Sequence, residues 1–231
     1  GQEDTSVVIG IRRDNLPAVT LYTITRKKIS ISNIVFQDMG DGVAYLRILR
    51  FGDLKTFFDF VNIYVNLPYE GFRSVIFDVR DNPGGSLEVL LNILNYIIPD
   101  KDKEMMSIYT RDSGHETFVT TGAGWRPNKM VVLANGFSAS ASEVFAGSLQ
   151  SLGYAEVIGT KTYGKGVGQF HYELSDQSVA IITNFEIKLP NKKSYNATGI
   201  IPDYNVALGT APYPMPQLGP LSYMRSLYVG D

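Results

Sequence analysis

The chain has 231 residues, 44% of them hydrophobic and 19% charged, enough to bury a full core as one large domain or two small ones. Its 21 basic and 23 acidic residues nearly cancel, and no run of Lys and Arg alternates with aromatics, which excludes the electrostatic footprint of a nucleic-acid binder. With no cysteine there is no disulfide framework, thiolate metal site or cysteine nucleophile, and no apolar run reaches the roughly 20 residues of a membrane span.

Residues 1–4 have neither the basic nor the apolar region of a secretory signal, so the expectation is a cytosolic protein or one whose signal has been removed. A leading Gly in place of Met favours trimming. Two β-rich runs follow, residues 5–11 and 18–24, separated by the polar turn Arg12-Arg13-Asp14-Asn15. From Gly42 the pattern alternates: a strand over 43–49, then an amphipathic helix over 54–67 with Phe57, Phe58, Val61, Tyr64 and Val65 on one face. The run 74–79 is nearly all apolar on both faces, as a buried parallel strand is. It stops at Asp81-Asn82-Pro83-Gly84-Gly85, and a helix is predicted over 86–98. A strand over 129–133 leads through Asn135-Gly136-Phe137 into a helix over 139–152. A strand over 156–158 then runs into the glycine-rich residues 160–168, and 169–174 with 178–189 form an antiparallel pair. The recurrence of strand, loop and helix predicts an α/β core of mostly parallel strands with antiparallel additions, whose active loops lie at the strands' C-terminal ends.

Two of those loops feed directly into helix N-termini, where free backbone N–H groups point outward: residues 82–86 and 137–142. A serine in such a turn can present its Oγ and an oxyanion-binding amide together, as acyl transfer requires. Ser138, Ser140 and Ser142 are all candidates. The plainer reading is that one of them caps the helix, with Glu143 merely favouring its first turn.

A serine nucleophile needs a general base. His115 lies in the turn-like Asp112-Ser113-Gly114-His115 and His171 in an alternating strand, so both read as exposed or packed side chains. A lysine can serve where burial leaves it neutral near pH 7. Lys165, in Tyr163-Gly164-Lys165-Gly166, has small neighbours that permit close approach to another loop, although a solvent-facing lysine fits the spacing equally well. A rival is the phosphate-binding loop, whose first seven positions match Gly159 to Lys165. The eighth is Gly166 rather than the Ser or Thr that ligates magnesium, and a strand follows where that loop needs a helix.

Four blocks together resemble the C-terminal processing peptidases, or tail-specific proteases. They are residues 76–85 (Ile-Phe-Asp-Val-Arg-Asp-Asn-Pro-Gly-Gly), 138–147 (Ser-Ala-Ser-Ala-Ser-Glu-Val-Phe-Ala-Gly), Gly159 with 162–166 (Thr-Tyr-Gly-Lys-Gly), and 199–203 (Gly-Ile-Ile-Pro-Asp). The resemblance covers roughly Val43 to Asp203 and implies a crotonase-like α/β fold. It puts the nucleophile on Ser140, the base on Lys165 and a lysine-holding amide on Gln169. It makes the amide of Ala141, with one from Gly84 or Gly85, the oxyanion hole. No cofactor and no metal are implied.

Substrates would be extended protein C-termini, added as a further strand to a sheet edge, in a compartment beyond the cytoplasmic membrane. Family members usually carry a PDZ domain before this core. Here residues 1–30 resemble only its last strands and the link Arg26-Lys27-Lys28-Ile29, with the core and a C-terminal tail spanning 31–231. Retinoid-binding proteins of the eye resemble the same fold without being peptidases, so a non-catalytic binding protein is the alternative, and the Ser140–Lys165 pair discriminates the two.

Overall fold

The computed structural model describes residues 1–13, 18–27, 32–110, 114–122 and 124–207. Parts of the turn predicted at Arg12 to Asn15, of the Arg26 to Ile29 link and of the Asp112 to His115 turn lie outside the described residues, as does the tail from Leu208 onward. The chain divides into two compact units, Gly1–Ser32 and Asn33–Asp231. In the first, strands β1 (Ser6–Ile11) and β2 (Thr20–Thr25) pair antiparallel, with Val8 opposite Thr23.

The second unit is built on a six-stranded sheet. Its strands are β3 (Ile34–Asp38), β4 (Val43–Ile48), β5 (Ser74–Asp78), β8 (Lys129–Ala134), β9 (Glu156–Gly159) and β12 (Tyr204–Asn205), in the order β12-β9-β8-β5-β4-β3. All neighbours are parallel except β3 and β4. Helices α1 (Leu54–Tyr64), α2 (Leu87–Ile97) and α3 (Ala141–Ser151) lie on the β4-to-β5, β5-to-β8 and β8-to-β9 connections. This is the mixed α/β arrangement that the alternating pattern predicts. A second, antiparallel sheet, β10-β11-β6-β7, comprises β6 (Glu104–Thr110), β7 (Gly114–Val119), β10 (Val167–Glu173) and β11 (Val179–Lys188).

Local chemistry sets the helix ends. Asp53 caps α1 by accepting from Thr56 N–H, and Ser86 caps α2 by accepting from Val89 N–H. Helix α1 stops at Tyr64, three residues short of the predicted end, because Pro68 disfavours a helical Leu67 and a tight turn takes over. Its inward stripe also differs from the predicted face. Thr56, Phe60 and Tyr64 are buried at i, i+4 and i+8, whereas Phe58 and Val65 point outward. Helix α2 buries Val89, Leu90, Ile93, Leu94 and Ile97.

An aromatic chain threads the core. Phe60 lies 6.3 Å from Phe77 of β5, which meets Phe145 of α3 edge-on at 5.4 Å, and Phe145 in turn packs on Phe51 at 5.8 Å. Phe51 follows β4, so this chain ties the loop after one strand to the helix after another. No helix among the described residues is long and apolar enough to cross a membrane. Phe77→Ala removes the centre of the chain and is expected to cost about 3–5 kcal/mol of unfolding free energy in denaturant titration, far more than Phe58→Ala on the exposed face of α1.

Candidate active site

Three parallel strands end side by side, and the loops after β5, β8 and β9 meet at that edge together with Phe51. After β5, Asp78 is fully buried and accepts from Arg80 Nε (2.9 Å), Arg80 Nη2 (2.6 Å) and the Tyr45 hydroxyl (2.6 Å). Burial, and then the Asp78 carboxylate, push the Tyr45 hydroxyl up to about 12. Above this base the loop is pinned by Asn82, whose Nδ2 donates to the Ile48 carbonyl at 2.8 Å and whose Oδ1 accepts from Gly84 N–H at 2.9 Å. Gly85 bridges to Phe51, with Phe51 N–H donating to the Gly84 carbonyl and Ser86 N–H to the Phe51 carbonyl.

The loop after β8 turns sharply into α3, and Ser140 is its N-cap with φ 57° and ψ −117°. A non-glycine residue in that region costs of order 1–3 kcal/mol and persists only where its surroundings over-determine it. They do so here. Ala139 N–H donates to the Asn82 carbonyl at 3.0 Å, and a Cβ on Gly84 would lie 2.7 Å from the Ala139 carbonyl oxygen and 3.0 Å from Ser140 Cβ. The glycine loop therefore presses directly on the serine turn, which passes from β8 through one strained residue into α3.

The three candidate serines separate cleanly. Ser138 is fully buried, donating to the Val79 carbonyl at 2.7 Å and accepting from Asn135 N–H at 3.0 Å. Ser142, also fully buried, donates to the Asn82 carbonyl at 3.0 Å. Both hydroxyls brace the turn, and Ser140 alone is partly exposed at its apex.

Glu143 joins this turn to the lysine loop. It is fully buried, and its Oε1 accepts from Thr162 Oγ1 (2.5 Å) and Gly164 N–H (2.6 Å). Its Oε2 accepts from Ser140 N–H (2.9 Å) and Lys165 N–H (2.8 Å). One carboxylate oxygen thus holds the backbone amides of both predicted dyad residues, whose nitrogens can be no farther apart than those two bonds laid end to end. Tyr163 N–H adds a bond to the Ser138 carbonyl at 3.1 Å.

The fourth block supplies the other side of the lysine loop. Ala197 N–H donates to the Gly164 carbonyl, Gly166 N–H to Asn196 Oδ1, and Ile200 N–H to Thr162 Oγ1 at 2.7 Å, while Thr162 N–H donates to the Ile200 carbonyl. A Cβ on Gly166 would lie 2.8 Å from Asn196 N. Tyr195 is buried beside this loop; burial, and secondarily the Glu143 charge, raise its hydroxyl far above the ordinary tyrosine value.

Lys165 itself is half-buried, and among the described residues its Nζ has no ion pair or hydrogen bond. Gln169 lies in β10 just past a bulge between Gly168 and Gln169, half-buried, with no side-chain hydrogen bond to Lys165 among the described residues. Of the proposed oxyanion donors, Gly84 N–H already donates to Asn82. Among the described residues the N–H groups of Gly85 and Ala141 make no hydrogen bond. His115 of β7 stacks on Tyr109 of β6 and His171 is exposed in β10, neither of them hydrogen-bonded to Ser140 among the described residues. Residues 159–165 run into β10, a strand, where a phosphate loop needs a helix. Among the described residues no three His, Asp or Glu side chains gather as metal ligands would.

Glu143, Thr162, Asn82 and Asn196 are the site residues that pattern reading passes over. The available signal is Glu143 itself, an acid three residues after a capping serine, but the favourable N-terminal dipole accounts for such an acid without any second loop.

The family model for peptidase family S41 matches residues 42–206. The carboxyl-terminal-processing protease of Synechocystis sp. is 32% identical over 209 residues, covering 88% of this chain and 48% of that protein. The corresponding protein of Picosynechococcus sp. is 30% identical, covering 88% and 49%. The chain therefore spans about half the length of the curated relatives it matches. Among solved structures, the photosystem II D1 C-terminal processing protease superposes with a TM-score of 0.69 at 24% identity over 90% of this chain and 57% of that one.

Two outcomes follow from the geometry. Ser140→Gly relieves the positive φ and is expected to raise unfolding free energy by about 1 kcal/mol, whereas Ser140→Ala, which keeps the Cβ, leaves it nearly unchanged. Glu143→Gln turns an acceptor oxygen into a donor facing N–H groups and is expected to cost about 1–3 kcal/mol for each buried donor left unpaired, read by chemical denaturation.

Proposed function

Since this chain belongs to peptidase family S41, we propose that it is a serine endopeptidase in which Ser140 attacks a peptide carbonyl and Lys165 takes the serine proton. The proton then passes to the leaving amine, and the acyl-enzyme on Ser140 Oγ is released by water. The observation that carries this reading is the shared Glu143 oxygen, since it brings the Ser140 and Lys165 backbones side by side from loops on different strands. Positioning of nucleophile and base at this level is what converts a weak hydroxyl into a reactive one.

The developing oxyanion is assigned to Ala141 N–H and Gly85 N–H, the two unengaged amides, while Gly84 acts by its missing side chain, letting the loop press on the serine turn. Gln169 is assigned to hold the lysine amine. Lys165 is only half-buried, so a substrate strand laid over the site completes its removal from water. Substrates are assigned to extended protein C-termini, as the names of the relatives suggest, and the working compartment to the cell envelope beyond the cytoplasmic membrane. The β1–β2 hairpin is assigned to the end of a PDZ domain, with the boundary near residue 30. A purely ligand-binding protein has no use for a strained, half-exposed serine held between the braced hydroxyls of Ser138 and Ser142, which disfavours that alternative.

The test is hydrolysis of an unfolded protein with an apolar C-terminal tail. Ser140→Ala and Lys165→Ala are each expected to lower kcat/KM by about 10³-fold or more, with Gln169→Ala intermediate. Gly84→Ala is expected to lose about a hundred- to a thousand-fold through displacement of the serine turn and its oxyanion donor. A covalent acyl adduct on Ser140 should be seen by mass spectrometry under rapid quench. Turnover that survives both dyad substitutions would remove the assignment.

A further inference from the structure

Each of the two loops that bear the proposed dyad also carries a large aromatic residue turned out to solvent. Phe137, three residues before Ser140, is 73% exposed, and Tyr163, two residues before Lys165, is 68% exposed. Neither belongs to the hydrophobic core. Among the described residues neither ring packs on another ring, and the Tyr163 hydroxyl makes no hydrogen bond.

The backbone beneath the rings is, by contrast, fixed. Phe137 N–H donates to Asn135 Oδ1 at 3.1 Å, and Ser138 N–H donates to the Asn135 carbonyl at 2.9 Å. Tyr163 lies between Thr162 and Gly164, both of which donate to Glu143, and its own N–H donates to the Ser138 carbonyl at 3.1 Å. That last bond joins Tyr163 to the residue after Phe137, which keeps the two aromatic Cα atoms within about 11 Å of each other. The loops stay close one residue further back, where a Cβ on Gly136 would lie 3.7 Å from the Lys161 carbonyl oxygen. A side chain held between two rings in contact with both needs them about 7–8 Å apart, a spacing that this separation admits. Single exposed apolar residues are ordinary on a surface. Two aromatics on braced loops at one site are different, because they offer large contact areas whose backbones need no further ordering on binding.

We propose that Phe137 and Tyr163 form an aromatic clamp for an apolar side chain of the substrate, in the fragment released by cleavage, and so set specificity on that side of the scissile bond. The side follows from the proton transfer of the mechanism proposed above, on which this inference rests. Lys165 passes its proton to the leaving amine, so the residues after the scissile bond run beside the lysine loop, while the acyl carbonyl turns toward Ala141 N–H and Gly85 N–H. Tyr163 is part of the lysine loop, and Phe137 adjoins the one residue of the serine turn whose carbonyl accepts from Tyr163. Both rings therefore border the path of the leaving fragment, and an apolar side chain there removes their exposed faces from water together with its own.

The test measures kcat/KM on internally quenched peptides that share one acyl half and carry a single Phe at the first, second or third position of an otherwise Gly and Ser leaving half. The native chain is expected to favour one of the three over the all-polar peptide by about 10- to 100-fold. Phe137→Ser and Tyr163→Ser should each reduce that preference and the double variant should abolish it. Rates on the all-polar peptide, and on a methyl ester of the same acyl half, which has no leaving residue, should remain those of the native chain. Phe137→Tyr and Tyr163→Phe should keep the preference, and the double variant should keep its cooperative unfolding transition, since both rings are exposed. A preference that persists in the folded double variant overturns the proposal. So does a preference found only when the Phe is moved into the acyl half, which places the rings on the other side of the bond. A loss of rate that is equal on every peptide and on the ester also overturns it, by giving the rings a purely structural role. In those three outcomes cleavage still depends on Ser140, whereas cleavage that survives Ser140→Ala, or no cleavage of any peptide, removes the peptidase reading and the clamp with it.

Discussion

A buried carboxylate with four donors around it has almost no freedom, and the Glu143 side chain spends all of that constraint on connecting two loops. Its own helix begins at the serine turn, so Oε2 can reach back to Ser140 N–H while Oε1 reaches outward to Thr162 and Gly164. The lysine loop has no helix or strand of its own to hold it between Gly159 and Val167; it is shaped by what it bonds to. Deprived of the carboxylate, three of its polar groups would be left in a dry interior.

The surrounding layers make that arrangement possible. Parallel strands joined by helices deliver successive loops to one edge of the sheet, so the glycine loop after β5, the serine turn after β8 and the lysine loop after β9 arrive as neighbours. Asn82 then couples the first two, by one side chain bonded below to Ile48 and across to Gly84, and by a carbonyl that receives both Ala139 N–H and Ser142 Oγ. Strain at Ser140 is sustained because Ser138, Ala139 and Ser142 around it are each hydrogen-bonded to the carbonyls of Val79 or Asn82.

Much of this is legible in the residues. The strand and helix alternation from Gly42 onward predicts the parallel core, because apolar runs such as Val75 to Phe77 leave no polar face and the Asn-Pro-Gly-Gly break leaves no continuation. The strands β3, β6 and β7 escape notice for physical reasons. Met105, Met106 and Ser107 are buried in succession, so β6 shows no period of two, and β7 is an edge strand of largely exposed, polar residues. Which of three serines stands free was open on spacing alone, since the answer lies in distant partners, Val79 for Ser138 and Asn82 for Ser142. Family resemblance singles out Ser140, and Ser138 and Ser142 are the two whose hydroxyls are engaged by those partners. The role of Glu143 is hidden for a related cause: an acid in a helix's first turn already has a sufficient local explanation, and the second loop it serves lies 19 to 22 residues away.

The grip of residues 195–200 on the lysine loop bears on the order in which the protein takes shape. Thr162 and Gly164 find half of their partners only in a stretch some three dozen residues further along, at Ala197 and Ile200. During synthesis the glycine loop and the serine turn can therefore settle early, while the lysine loop waits for the ribosome to release that later turn. The lysine loop therefore reaches its full set of hydrogen bonds only once almost the whole core has been made.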